Sequence, residues 1–197
     1  PWVCLCYGNG LYDERAAKVF GAVGVPPIFN EEQKQAWHRY VVAFVQHFRG
    51  RVQWYEVWNE PDLSYFWTGS QADYFRLYAE SAKAIKSVDA ELKVGGPATS
   101  GCKWIQETID FCRSERLPLD FISTHDYCVN AALGLDGQKN EMHWGGGPQR
   151  MYDSAAKVRS KIQADKSYGR RPDQRRLGIL RQQQFLLGKK PGRGVPD

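Results

Sequence analysis

The sequence predicts an α/β fold in which a parallel sheet carries helices on its outside. Two observations predict it. Short apolar runs alternate strictly with amphipathic stretches of helical period, in the order β-α-β-α-β-α-β-α. Glycine- and proline-bearing loops separate them at βαβ spacing. A closed barrel and an open doubly wound sheet both satisfy this order. In either, function sits at the C-terminal ends of the strands, here Tyr7–Asn9, Asn59–Glu60, Gly95–Pro97 and His125–Tyr127.

"WVCLCY" (Trp2–Tyr7) reads as a buried strand followed by a Gly/Asn loop. Pro26–Asn30 is a loop. The next stretch places Ala36, Trp37, Tyr40, Val41, Phe44, Val45 and Phe48 at helical spacing. Glu31 and Glu32 suit the dipole in its first turn, and Gly50 fits its end. "VQWYEVWN" (Val52–Asn59) is a strand stopped by Pro61. A helix from Gln71 to Val88 gathers Tyr74, Leu77, Tyr78, Ser81, Ile85 and Val88 on one side. "LKVGGPA" is a short strand entering a glycine turn. Trp104–Cys112 is helical, and "DFISTHDY" (Asp120–Tyr127) is a strand. After a Gly-rich loop from Gly134 to Gly147, Gln149–Ala164 is a further helix.

The chain of 197 residues is long enough for a real core. Its 42% apolar and 25% charged residues are those of an ordinary globular domain. Seven Trp and ten Tyr suit either stacking on sugar faces or a large core. No run of about 18 apolar residues is present, so no membrane span is expected. No secretory leader is visible, and the chain opens inside a strand without an initiator Met, as a piece of a longer protein would. The five cysteines have no zinc spacing, and no metal is expected. No glycine-rich phosphate loop follows any strand, which argues against a nucleotide cofactor.

The net charge of +5 is local. Residues 1–165 hold 18 Lys and Arg against 20 Asp and Glu, whereas residues 166–197 hold nine against two. Basicity therefore belongs to the tail, and nucleic-acid binding is not inferred from the whole-chain charge.

Strand alternation puts Glu56, Trp58 and Glu60 on one face, with Glu56 roughly 13 Å below Glu60. That separation exceeds the carboxylate spacing of retaining and inverting glycosidases. Glu56 is thus expected inside, paired with a cation or hydrogen-bonded. Glu60 lies at the strand end, after Asn59 and before a proline. Asn59 could donate to a sugar hydroxyl while Glu60 protonates a leaving oxygen. Apolar walls such as Trp58 and Trp67 would keep Glu60 protonated for that task. A surface acid before a turn is the other reading of the same residues.

The segments "YEVWNEPDLSYFW", "DYFRLYAESAKAIKSVDAELKVGGPATSG" and "PLDFISTHDY" resemble glycoside hydrolase family 39, in order, from about Trp37 to Tyr127. The family includes β-xylosidases and α-L-iduronidases. The resemblance implies a (β/α)8 TIM barrel and a retaining glycosidase with a carbohydrate substrate and no cofactor. It makes Glu60 the acid/base and Asn59 the contact to the 2-hydroxyl. His125 and Tyr127 line the sugar pocket beside Trp67. It maps this chain to about strands 3–6 of the barrel, a partial barrel of residues 1–165 that should expose sheet edges and be poorly stable alone.

The same mapping puts a seventh strand after the helix ending near Ala164, tipped by a nucleophilic Glu. The last Glu in the sequence is Glu141. Asp165 and Asp173 sit among solvent-type residues, and neither ends an apolar strand. The tail, residues 166–197, turns abruptly rich in Arg, Gln and Gly and shows no convincing strand. An out-of-frame tail, a divergent protein that binds carbohydrate without catalysis, and a basic disordered interaction tail are the three readings of that change.

Overall fold

The computed structural model describes residues 1–18, 21–126, 147–165 and 178–182. Its strands are β1 (Trp2–Leu5), β2 (Trp54–Val57), β3 (Lys93–Ser100), β4 (Phe121–His125) and β5 (Gly178–Gln182). Its helices are α1 (Gly21–Gly24), α2 (Glu31–His47), α3 (Gln71–Val88), α4 (Ile105–Ser114) and α5 (Gly147–Ala164), with a 3-10 turn at Glu14–Ala17.

All five strands are parallel and lie side by side in chain order. That order decides between the two architectures the sequence left open. A doubly wound sheet reverses direction at a switch point. Here every crossover adds its strand on the same side, as in a barrel wall.

The helix starts are built as local chemistry dictates. The Asn30 side chain accepts from Gln33 N at 2.9 Å, capping α2. Ser70 and Asp73 form a reciprocal capping box at α3. On α2 the face toward the sheet is Gln33, Trp37, Val41 and Val45. Tyr40, Phe44 and Phe48 run along its flank, and Tyr40 is exposed. On α3 the expected Tyr74, Leu77, Tyr78, Ser81 and Ile85 are buried.

The sheet has two distinct faces. Tyr55, Val57, Val94 and Ile122 join the helix-side core. The opposite face, which would be a barrel interior, carries Cys4 in register with Glu56, and Glu56 in register with Gly95. Gly95 in turn pairs with Phe121. The Phe121 ring lies over Gly95 and reaches Trp54 across β3, with ring centroids 5.4 Å apart.

Two sequence expectations are corrected. Strand β2 ends at Val57 rather than Asn59, because Trp58 takes a left-handed backbone with φ 65°. Its ring packs on Trp37 and Trp67, on the helix side, so Glu56, Trp58 and Glu60 do not share a face. The tail, read as strandless, supplies β5. Its backbone pairs with β4 from Phe121↔Gly178 to His125↔Gln182. A short "GILRQ" run gives little signal in sequence, but the unpaired edge of β4 offers it a ladder.

A methyl group at Gly95 would stand 2.3 Å from the Phe121 carbonyl oxygen and 2.6 Å from its ring. Backbone cannot yield as a side-chain tip can. Gly95→Ala is expected to destabilise the fold by about 1–3 kcal/mol or more, read as a lowered urea midpoint at unchanged m-value.

Candidate active site

The C-terminal ends of β2, β3 and β4 converge on Glu60. Its backbone is left-handed, with φ 45°, and its N–H donates to Ala98 O at 3.0 Å. Ala98 is itself left-handed, beside a register shift between Pro97 and Thr99. Such a bulge re-aims the backbone, here turning a carbonyl of β3 toward the segment after β2. Trp58 N donates to Leu5 O at 2.9 Å, which ties the same segment to β1. Non-glycine residues at positive φ are costly and cluster at functional sites.

Asp62 locks the turn that follows. Its Oδ1 accepts from Ser100 N at 2.8 Å, and its Oδ2 pairs with Lys103 Nζ at 3.0 Å. Sequence reasoning passed over Asp62, although its place directly after Asn-Glu-Pro was the available signal.

The expected site residues fall as follows. Glu60 is buried, with 8% of its surface exposed. His125, 65 residues away in sequence and 3% exposed, places Nδ1 3.0 Å from Glu60 Oε1. Asn59 is half-buried, two residues past the end of β2. Tyr127 lies outside the described residues. Trp67 is not brought to a substrate face. It is 3% exposed, donates Nε1–H to Ser70 O at 2.8 Å, and packs edge-on against Trp58 at 5.2 Å. It thus supports Trp58 from the helix side. Tyr7, at the end of β1, stands edge-on to Trp58 at 5.5 Å. Burial pushes its phenol up, with Cys6 next and Glu60 a smaller contributor. A cavity of about 320 Å³ opens beside it toward α2, between Cys6, Asn9, Tyr12, Trp37 and Tyr40, to one side of Glu60 and His125.

Below Glu60, Glu56 is fully buried on β2. Of the two partners expected for it, a cation or a hydrogen bond, no cation pairs with it among the described residues. Among the described residues neither carboxyl oxygen has a hydrogen-bond partner of regular geometry. Burial pushes its pKa from 4.5 up to about 7, against weaker opposing contributions from Ser123, His125 and Cys4. Ser123 Oγ and His125 Nε2 are likewise buried without a partner.

The fold and this constellation define a parallel β/α barrel wall with a carboxyl–imidazole pair at its mouth. The glycosyl hydrolases family 39 model matches residues 26–166, and the chain belongs to that family. It is 42% identical over 124 residues to a β-xylosidase of Caldicellulosiruptor saccharolyticus, covering 59% of this chain and 25% of that protein. It is 41% identical over 121 residues to a β-xylosidase of Geobacillus stearothermophilus, covering 56% and 23%. Among solved structures it resembles the GH39 enzyme from Xanthomonas axonopodis pv. citri, with TM-score 0.60 and 37% identity, over 68% of this chain and 28% of that one. A monomeric β-xylosidase from Caulobacter crescentus follows at TM-score 0.59 and 35% identity, over 68% and 29%. The chain thus spans about a quarter of the length of the β-xylosidases it matches, and it forms a partial TIM barrel.

Because Glu56 holds its proton more tightly folded than unfolded, its contribution to stability is full below about pH 4.5 and is lost as pH rises through about 7. The expected fall across that window is roughly 3 kcal/mol. Denaturant titrations at stepped pH check it, and Glu56→Gln should flatten the profile.

Proposed function

We propose that the barrel to which this chain contributes hydrolyses O-glycosidic bonds of β-xyloside type, with retention of configuration and with Glu60 as acid/base. The observation that carries the reading is the His125 Nδ1 contact to Glu60 Oε1 at 3.0 Å, at the C-terminal mouth of a family 39 barrel wall. A hydrogen donated by His125 to Oε1 leaves Oε2 to carry the proton that passes to the glycosidic oxygen. A second carboxylate, about 5–5.5 Å away in retaining enzymes, attacks the anomeric carbon as that bond breaks. Water then cleaves the glycosyl-enzyme, and Glu60 takes back a proton. Asn59 would hold the 2-hydroxyl, where contacts strengthen in the transition state.

One observation favours a second reading, a carbohydrate-binding protein without hydrolysis. The strand next to β4 ends at Gln182, in register with His125, and no Glu follows Glu141. An amide cannot form the glycosyl ester.

In the protein that carries this chain with the rest of its barrel, Glu60→Gln is expected to cut kcat on alkyl β-xylosides by about 10²–10⁴-fold. Nitrophenyl xylosides, whose leaving groups need little protonation, should suffer far less. Equal rates for both substrates in variant and parent would remove Glu60 from the mechanism. Xyloside binding by calorimetry with no turnover in the parent would establish the second reading.

A further inference from the structure

The turn that joins β3 to α4 stands between the two groups at the mouth. From Ala98 to Trp104 it holds four residues at positive φ: Ala98 at 55°, Gly101 at 64°, Cys102 at 61° and Trp104 at 56°. All but Gly101 carry a side chain, and backbone so strained persists only where its surroundings over-determine it.

Those surroundings lie on both flanks. On the β2 side, Glu60 N–H donates to Ala98 O at 3.0 Å. Asp62 Oδ1 accepts from Ser100 N at 2.8 Å, and its Oδ2 pairs with Lys103 Nζ at 3.0 Å. On the β4 side, Gly101 N–H donates to His125 O at 2.8 Å. Thr124 Oγ1 accepts from Cys102 N at 2.9 Å and donates to Thr99 O at 2.7 Å. Both clamping side chains are buried.

The bulge in β3 explains why side chains are needed there. The β3–β4 register steps over Ala98, from Pro97↔Ser123 to Thr99↔Thr124. Ala98 has no match on β4, and its carbonyl serves Glu60 instead. Where the ladder is broken, the Thr124 hydroxyl ties β4 to both ends of the step. Strand β2 has already ended at Val57, and the Asp62 carboxylate takes the place of a strand carbonyl opposite Ser100 N. One turn therefore holds the backbone of Glu60 and of His125 alike. Moving it moves the two relative to each other, and their 3.0 Å contact is the quantity it sets.

We infer that Asp62 and Thr124 are positioning residues for the acid: they clamp the turn after β3 from either flank, and the clamped turn sets the separation of Glu60 from His125. A misplacement of about 1 Å in such a group costs about 10²-fold in rate. The cost falls on proton transfer, so it depends on the leaving group. The inference rests on the proposed role of Glu60 for that consequence, and on backbone hydrogen bonds alone for its detection.

The test uses the protein that carries this chain with the rest of its barrel. Asp62→Ala removes the clamp on one flank, and Thr124→Val, close in shape, removes it on the other. Each is expected to lower kcat on alkyl β-xylosides about 10–100-fold, while nitrophenyl xylosides lose less than about threefold. Because both act through one turn, the double variant should fall within about threefold of the worse single variant rather than to the product of the two losses. Equal losses on the two substrates, or losses that multiply, overturn the inference.

Amide hydrogen exchange, read residue by residue, tests the same link without turnover. Asp62→Ala should speed exchange at Gly101 N–H, whose bond to His125 O it does not touch, by about tenfold or more. Thr124→Val should do the same at Glu60 N–H, with the α3 amides unchanged. Exchange that rises only at amides a variant unpairs directly, or that rises in α3 as well, overturns the inference. Lys103→Met breaks the Asp62 ion pair at an exposed side chain and must show the Gly101 effect in weaker form, which decides the matter if Asp62→Ala does not fold. If Glu60→Gln leaves the rates on both substrates unchanged, the glycosidase reading fails and coupled exchange across the turn still stands. If Glu60→Gln impairs alkyl xylosides as expected and the exchange is uncoupled, this inference alone fails.

Discussion

The interior of this wall depends on one strand giving up a side chain. At Gly95, β3 lies between Glu56 of β2 and Phe121 of β4, and any Cβ there would collide with the Phe121 carbonyl. The space is taken by the Phe121 ring, which crosses β3 to meet Trp54. That pair forms an aromatic floor two residues below the layer of Glu56 and Ser123. The layer of Glu60 and His125 stands above. Because strand side chains repeat every second residue, the three layers follow from register alone once the floor is set. Burial above that floor, with no cation paired to it among the described residues, also explains why the pKa of Glu56 is raised.

The upper layer is held differently, by backbone rather than packing. Glu60 is three residues beyond the last paired residue of β2, so the ladder no longer fixes it. Its N–H is anchored to Ala98 O across a bulge, and Asp62 anchors the turn beyond to Ser100 N and Lys103. His125 comes from the last paired position of β4 and carries the rigidity of the sheet to the carboxyl. A carboxyl gripped from three strands is pre-organised: its position is set by the sheet before anything meets it.

Much of this was legible in the residues, and the exceptions have causes. Periodicity placed α2 and α3, because an amphipathic stripe is a local property. That Glu56 lies inside was legible from the alternation of the strand, and the structure buries it completely. Trp58 was misread because its positive φ is imposed from outside, by Leu5 O on one side and the bulged β3 on the other; nothing in "EVWNEP" encodes either. The packing of Trp67 on Trp58 was not legible, because an aromatic near a candidate acid looks alike whether it faces a sugar or a neighbouring tryptophan. The strand at Gly178–Gln182 was missed because its pairing edge, not its own composition, makes it a strand. The family resemblance carried His125, which spacing alone would have left as a core histidine.

Glu56 and Glu60 show how position divides one chemistry into two. Both are Glu on one short segment. One is fully buried above the Trp54–Phe121 floor, with no hydrogen bond of regular geometry to its oxygens among the described residues. The other sits at the mouth against an imidazole nitrogen. Their environments, not their identities, set them apart: burial raises the pKa of the first, and the second faces His125 Nδ1. The imidazole between them presents one nitrogen to each layer, and a neutral ring can donate from only one of them.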